Sequence, residues 1–175
     1  MKISRLALGA YGIALAVIIL DQLTKAWVLG AIGAEHISYI RDGYPIAKVF
    51  PPYFNLTYVL NTGVSFGLFG GGAGRWILSV FSVVVAGLLA WWATRANRRL
   101  LVAAIGLVMG GAVGNVIDRI RFGGVVDFLD FSGTGLFPWI FNVADSGITV
   151  GVVLLILDSF LSERRPTVGA AHEKS

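Results

Sequence analysis

Apolar residues fall in four long runs along this chain. The first, Leu6–Leu29, holds no charged side chain before Asp21, and at 1.5 Å per residue it is long enough to cross ~30 Å of hydrocarbon. Two more, Trp76–Thr94 and Leu100–Ile117, follow each other across a short RANRR turn, and the fourth is Trp139–Leu161. Each predicts a transmembrane helix. Lys2 and Arg5 ahead of an apolar stretch give the start the outline of a signal peptide, but the helical pattern continues through DQLTKAWVL, which favours an uncleaved first helix. Residues 30–74 are too polar and too interrupted by Gly and Pro to span. Within them Phe54–Leu60 alternates and is rich in β-branched and aromatic residues, so it reads as a strand, with a turn at Asn61–Gly63 and a returning strand at Val64–Phe69. The predicted fold class is an all-α membrane protein: four transmembrane helices plus a small extracytoplasmic β-sheet between helices one and two. It forms a single domain, 1–175, with a disordered tail at 166–175.

Composition sharpens this picture. The 175 residues are 56% hydrophobic and 14% charged, with a mean hydropathy of +0.78, far more apolar than a soluble domain of that length. A formal charge of +4 could fit nucleic acid, but the basic residues form short clusters between the apolar runs, so no nucleic-acid partner is expected. They read instead as topology signals. Lys2, Arg5, Arg95, Arg98, Arg99, Arg164, Arg165 and Lys174 supply eight of the 14 Lys and Arg, which assigns both termini and the RANRR turn to the cytoplasm and residues 30–74 to the outside. Cysteine is absent, which excludes disulfides, thiolate metal sites and a cysteine nucleophile. His36 falls in a loop and His172 in the tail, so no metal or other cofactor is expected.

Against that apolar background, a set of polar residues stands out. Asn115, Asp118, Arg119, Asp127, Asn142 and Asp145 lie in or beside membrane-compatible segments, where an ionisable group costs several kcal/mol unless it is paired or used. With the orientation above, Asp21 lies roughly 12 Å and Asp145 roughly 9 Å from the outer helix ends, in one layer. Asn115, Asp118 and Arg119 share a face through i, i+3, i+4 spacing, at the outer end of helix three. Structural readings stand beside functional ones. Asp21 and Lys25 have the spacing of an intrahelical ion pair, Asp118 and Arg119 of a paired helix cap, and Asp158 reads as solvated at the inner interface. Gly106, Gly110 and Gly114, like Gly147 and Gly151, read as close-packing seams between helices.

Asp127 and Asp145 are harder to dismiss as structural, the first following two valines within GGVVDF and the second following FNVA within a helix. Two carboxyls brought close in a low-dielectric site share one proton, and one can then take a proton from water while the other protonates a peptide carbonyl or leaving amine. Spacing alone does not show that the two approach. Three other readings stay open: a four-helix proton-coupled transporter, a structural or chaperone-like membrane subunit, and a Ser–Lys peptidase using Lys25 with Ser65 or Ser146.

Five stretches, DQLTK at Asp21–Lys25, NTGVSF at Asn61–Phe66, GGAVGNVIDR at Gly110–Arg119, VVDF at Val125–Phe128 and FNVADS at Phe141–Ser146, resemble in order and spacing the motifs of the bacterial lipoprotein signal peptidases, signal peptidase II. The resemblance implies an aspartic endopeptidase of the bacterial inner membrane with Asp127 and Asp145 as catalytic dyad. Asp21, Lys25, Asn61, Gly63, Asn115, Asp118, Arg119 and Asn142 carry over as substrate-binding or site-supporting residues. It implies substrates that are diacylglyceryl-modified prolipoproteins, cut before the lipidated cysteine near the outer leaflet. Membrane lipids as surroundings, a monomeric state and inhibition by cyclic peptides of the globomycin type follow from the same resemblance. Val64 and Ser65 depart from the alanines common in that motif, without removing an ionisable group.

Overall fold

The structure, a computed structural model, describes residues 5–33, 43–63, 73–135 and 137–163. Four long helices form: α1 (Arg5–Ile32), α2 (Ala73–Ala93), α3 (Arg99–Phe122) and α4 (Val143–Glu163). All four are long and apolar enough to cross a membrane. Their burial is inverted relative to a water-soluble bundle. The buried positions of α1 run Ala7, Ala10 and Ala14, then Asp21 and Lys25, then Val28 and Ile32, one helical stripe that is small, then polar, then apolar. Leu15, Leu20, Leu23 and Trp27 of the same helix are exposed, as are Phe81 and Trp91 of α2 and Phe160 of α4. Large apolar groups outside and small or polar groups inside is the arrangement a lipid solvent permits, since lipid gives no drive to hide leucine.

Helix α3 sits centrally and packs against the other three. Glycine makes this possible on two of its faces. A Cβ on Gly106 would lie 2.7 Å from the Ala10 carbonyl oxygen and one on Gly110 2.7 Å from that of Ala14, so α1 and α3 touch backbone to backbone. Toward α4, Gly151 approaches the Ala104 carbonyl to 2.9 Å on the same measure. The third glycine of the first seam, Gly114, faces a side chain instead: its Cβ would meet Asp21 Oδ2 at 2.7 Å. The seam therefore opens where the polar layer begins.

The sheet differs from the sequence expectation. It has four antiparallel strands in the order β1 (Tyr44–Phe50), β2 (Phe54–Asn61), β3 (Val125–Asp130) and β4 (Ile140–Phe141), so half of it comes from the α3–α4 connection rather than from the segment between α1 and α2. The expected strand at Phe54–Leu60 is present as β2 and pairs with β1 and β3, Val59 opposite Asp127 and Asn61 opposite Val125. The returning strand expected at Val64–Phe69, and the tail at 166–175, lie outside the described residues. Strand β1 is concealed in the sequence by Pro45, which an edge strand tolerates. Strand β3 is buried on both faces, so it shows no alternation. Val28 and Ile32 of α1, Tyr58 of β2 and Val126 and Phe128 of β3 form one apolar cluster that seats the sheet on the end of α1.

Three further expectations are corrected. Helix α4 begins at Val143, not Trp139, because β4 occupies Ile140–Phe141 and Asn142 caps the helix, accepting the Asp145 N–H at 2.9 Å through Oδ1. Helix α3 continues to Phe122 and ends on Gly123 at φ 77°, so Asn115 and Asp118 lie inside it, not at its end. Asp158 is buried rather than solvated, and its carboxylate pairs with Arg98 at 2.7 Å, fastening α4 to the turn before α3.

The glycine seams generate a direct test. Gly110→Ala is expected to cost about 1–3 kcal/mol, because its methyl must displace the α1 backbone. Gly12→Ala, where nothing lies within 4 Å, is expected to be neutral or slightly stabilising. Thermal unfolding of both variants in detergent checks the contrast; equal effects would refute close packing at Gly110.

Candidate active site

Polar side chains from α1, α3, β3 and α4 meet where the glycine seam opens. At the centre is the Lys25 ammonium, 2% exposed, which contacts Asp21 Oδ2 at 2.8 Å and Asp118 Oδ2 at 2.7 Å and donates to Asn115 Oδ1 at 3.3 Å. The pairing of Asp21 with Lys25 is thus one half of a three-residue ion cluster. Asp118 turns inward to Lys25 rather than to Arg119, which corrects the paired-cap reading. Neighbouring residues on a helix point ~100° apart, so both cannot serve one inward cluster. Arg119 is half-buried and donates to the Asn115 carbonyl at 3.5 Å, one turn back.

Each acid in the cluster also binds a backbone donor. Asp21 Oδ1 accepts the Ala144 N–H at 2.9 Å, tying α1 to the first turn of α4. Asp118 Oδ2 accepts the Val126 N–H at 3.0 Å, tying α3 to β3. Gln22 completes this layer, donating to Asp118 Oδ1 at 2.9 Å, to Asp21 Oδ2 at 3.2 Å and to the Gly114 carbonyl at 3.3 Å. Sequence reasoning passed over Gln22. Its signal was its position beside Asp21 within an apolar helix.

Asp127 and Asp145 lie outward from the lysine, Asp145 beyond one amide and Asp127 beyond two. Asn115 Nδ2 donates to Asp145 Oδ1 at 2.7 Å. Asn142 Nδ2 donates to Asp127 Oδ1 at 2.7 Å and to Asn115 Oδ1 at 3.3 Å, while its own Oδ1 caps the Asp145 N–H. Asn61, at the end of β2, donates from Nδ2 to Asp127 Oδ2 at 3.0 Å and accepts the Gly63 N–H at 2.9 Å. Gly63 has φ 72°, the left-handed conformation that suits glycine and turns its N–H back onto Asn61. All ten residues singled out in the sequence therefore come together, Arg119 and Gly63 at the margin.

Burial, followed by the charge of Asp145, pushes the Asp127 carboxyl up to about 7; the hydrogen bonds from Asn61 and Asn142 and the Lys25 charge oppose the shift. Two cavities open beside the carboxyls. One of about 310 Å3 is lined by Asp127, Asn61, Thr62 and Gly63 with Pro138 and Trp139. The other, of about 400 Å3, is lined by Asp145, Ser146 and Thr149 with Phe137, Phe141 and Val150. Among the described residues no group of His, Cys, Asp and Glu has the makings of a metal site.

The family model described as signal peptidase (SPase) II matches residues 13–161. The lipoprotein signal peptidase of Caulobacter vibrioides is 48% identical over 165 residues, covering 93% of this chain and 93% of that protein. That of Shewanella loihica is 43% identical over 161 residues, 89% of this chain and 88% of the relative. A bacterial membrane enzyme solved by the in meso method at 1.9 Å resolution superposes with a TM-score of 0.70 at 31% identity, covering 86% of this chain and 91% of that one. Matched across most of its length by that family model and by these relatives, the chain belongs to the signal peptidase II family.

Proposed function

We propose that Asp127 and Asp145 are the catalytic dyad of an aspartic endopeptidase that removes signal peptides from diacylglyceryl-modified prolipoproteins, cutting before the lipidated cysteine. One observation carries the assignment: Asn142 bonds the side chain of Asp127 and the backbone of Asp145, and its neighbour Asn115 bonds the side chain of Asp145, so two acids eighteen positions apart share one amide-lined site. In such a site, one carboxylate takes a proton from water as the oxygen attacks the scissile carbonyl, and the other acid protonates the carbonyl oxygen. Collapse of the resulting diol then returns a proton to the departing amine.

The basic clusters at both termini and in the RANRR turn support a cytoplasmic location for them in the bacterial inner membrane, with the sheet and dyad near the outer leaflet. A lipidated cysteine keeps its acyl chains in the bilayer there, and the peptide reaches the dyad sideways beneath β2. Asn61 and Gly63 then border the peptide, while Asp21, Lys25, Asn115, Asp118, Arg119 and Asn142 hold the dyad in place. The chain acts as a single-domain monomer among membrane lipids, and cyclic peptides of the globomycin type inhibit it by occupying the same cleft.

The contacts of Lys25 argue against a Ser–Lys mechanism. Its ammonium is committed to Asp21 and Asp118, whereas a lysine base must be neutral. Ser146 Oγ donates to the Asn142 carbonyl at 2.9 Å, an ordinary intrahelical bond. Ser65 lies outside the described residues.

Asp127→Asn and Asp145→Asn are expected to abolish cleavage of a diacylglyceryl-modified precursor while leaving folding intact, whereas Ser146→Ala keeps at least part of the activity. Full activity in either Asn variant would sink the dyad. For the ion cluster, Lys25→Ala is expected to destabilise by about 3–5 kcal/mol, since it strands two buried carboxylates. Double-mutant cycles with Asp21→Asn and Asp118→Asn should each show coupling; additivity in both would show that the lysine does not hold them.

A further inference from the structure

At the far end of the bundle from the dyad, a second polar site interrupts the lipid-facing surface. A cavity of about 300 Å3 is lined by Arg98, Arg99 and Leu100 where α3 begins and by Asp158, Leu161 and Ser162 where α4 ends. Trp91 and Trp92, in the last turn of α2, are exposed at this same end, and the Arg95 guanidinium lies over the Trp91 ring, 3.7 Å from its centroid. Indole rings and arginine side chains at one level mark the boundary between hydrocarbon and headgroups.

The cavity carries more positive charge than the protein itself neutralises. Arg98 is held in place, its Nη2 contacting Asp158 Oδ2 at 2.7 Å and its Nη1 donating to the Asp158 carbonyl at 3.5 Å. Its remaining donor, Nε, is buried with no partner among the described residues, a costly arrangement for an N–H group. Arg99 is exposed and has neither a hydrogen bond nor an ion pair among the described residues. Two guanidinium groups thus face one carboxylate. The start of α3 adds to this, since Arg98 makes no side-chain cap and the first turn holds no acid, leaving its N–H groups open to an anion.

The apolar lining extends the site toward mid-membrane. Leu100, Ala103 and Leu107 share a face of α3 through i, i+3, i+7 spacing, and all three are only half-buried although α3 is otherwise largely enclosed. On α4, Leu161, Leu157 and Leu154 repeat that spacing, the first two exposed. Each track starts at a residue that lines the cavity. The α3 track ends at Leu107, where a Cβ on Gly147 of α4 would lie 3.4 Å from the Leu107 carbonyl oxygen and 3.3 Å from Val17 of α1. From Leu100 to Leu107 is roughly 10 Å, a length of acyl chain that fits within one leaflet.

We propose that this cavity binds the headgroup of an anionic phospholipid from the inner leaflet, its phosphodiester held by Arg99 and the first turn of α3 beside Arg98, with an acyl chain lying along the two leucine tracks. The unmatched charge selects an anionic headgroup, because a zwitterionic one brings a cation of its own to a cavity already positive. The tracks select a lipid over free phosphate, which has no use for them. Only the choice of leaflet rests on the cytoplasmic location of the RANRR turn. A lipid so bound spans the junction of α3 and α4 and fastens one to the other, as the Arg98–Asp158 pair does from within.

The test is native mass spectrometry and thermal unfolding of the purified full chain in neutral detergent with added phosphatidylglycerol or phosphatidylcholine, for wild type, Arg99→Gln and Arg95→Gln. One phosphatidylglycerol molecule is expected to stay bound to the wild-type chain and to raise its unfolding temperature, with phosphatidylcholine bound about fivefold more weakly. Arg99→Gln is expected to weaken phosphatidylglycerol binding about tenfold, the effect of losing one charge-assisted hydrogen bond. Arg95→Gln, which removes the same charge from the ring of Trp91 outside the cavity, is expected to leave binding unchanged. Equal losses in the two variants would reduce the site to diffuse basic charge and overturn the proposal. Equal affinity for the two lipids would overturn it as well, and so would an unfolding shift produced by glycerol phosphate alone, which would mark a site for a soluble anion.

Discussion

The buried ammonium of Lys25 is the contact on which the rest of this structure depends. A charge taken from water into a low-dielectric interior costs several kcal/mol, and a single counter-ion seldom repays it. Here two acids and an amide surround the ammonium, and the acids in turn take backbone N–H groups from α4 and β3. The cluster is therefore satisfied only when α1, α3, α4 and the sheet all occupy their native positions. In lipid, where apolar surface gives helices no reason to associate, this dependence supplies both adhesion and register.

The packing around the cluster follows from the same constraint. Asp21 and Lys25 sit on the same stripe of α1 as Ala7, Ala10 and Ala14, so a single helical face first packs backbone to backbone against Gly106 and Gly110 and then turns polar. Gly114 is the hinge between these two regimes: it lacks a side chain where the Asp21 carboxylate needs room. A seam that would serve only adhesion elsewhere here ends by making room for a buried carboxylate.

Much of this was legible in the sequence, for a physical reason. An acid or amide inside a lipid-compatible segment is expensive, so Asp21, Lys25, Asn115, Asp118, Asn142 and Asp145 stand out without any knowledge of the fold. Their partners were not legible, because these are tertiary. Nothing local tells Asp118 to choose Lys25 over Arg119, or marks the Ala144 and Val126 N–H groups as ligands of distant carboxylates. The sheet was half legible. β2 alternates and could be read, whereas β3 is covered on both faces and β1 begins beside a proline. The start of α4 was misjudged because Trp139–Phe141 continue its apolar run, although Asn142 carries the cap.

Neutral amides, rather than charged side chains, separate the lysine from the two outer acids, and this has a chemical consequence. A cation in direct contact with Asp127 and Asp145 would hold both ionised, leaving no proton to share. Asn115 instead accepts from Lys25 on one atom and donates to Asp145 from the other, so an oriented N–H dipole is added to the charge of Lys25, which acts from a distance. Asn142 does the same between the α4 backbone and Asp127. The ion cluster can then be as strong as folding requires while Asp127, beyond the amides, keeps a carboxyl raised to about 7.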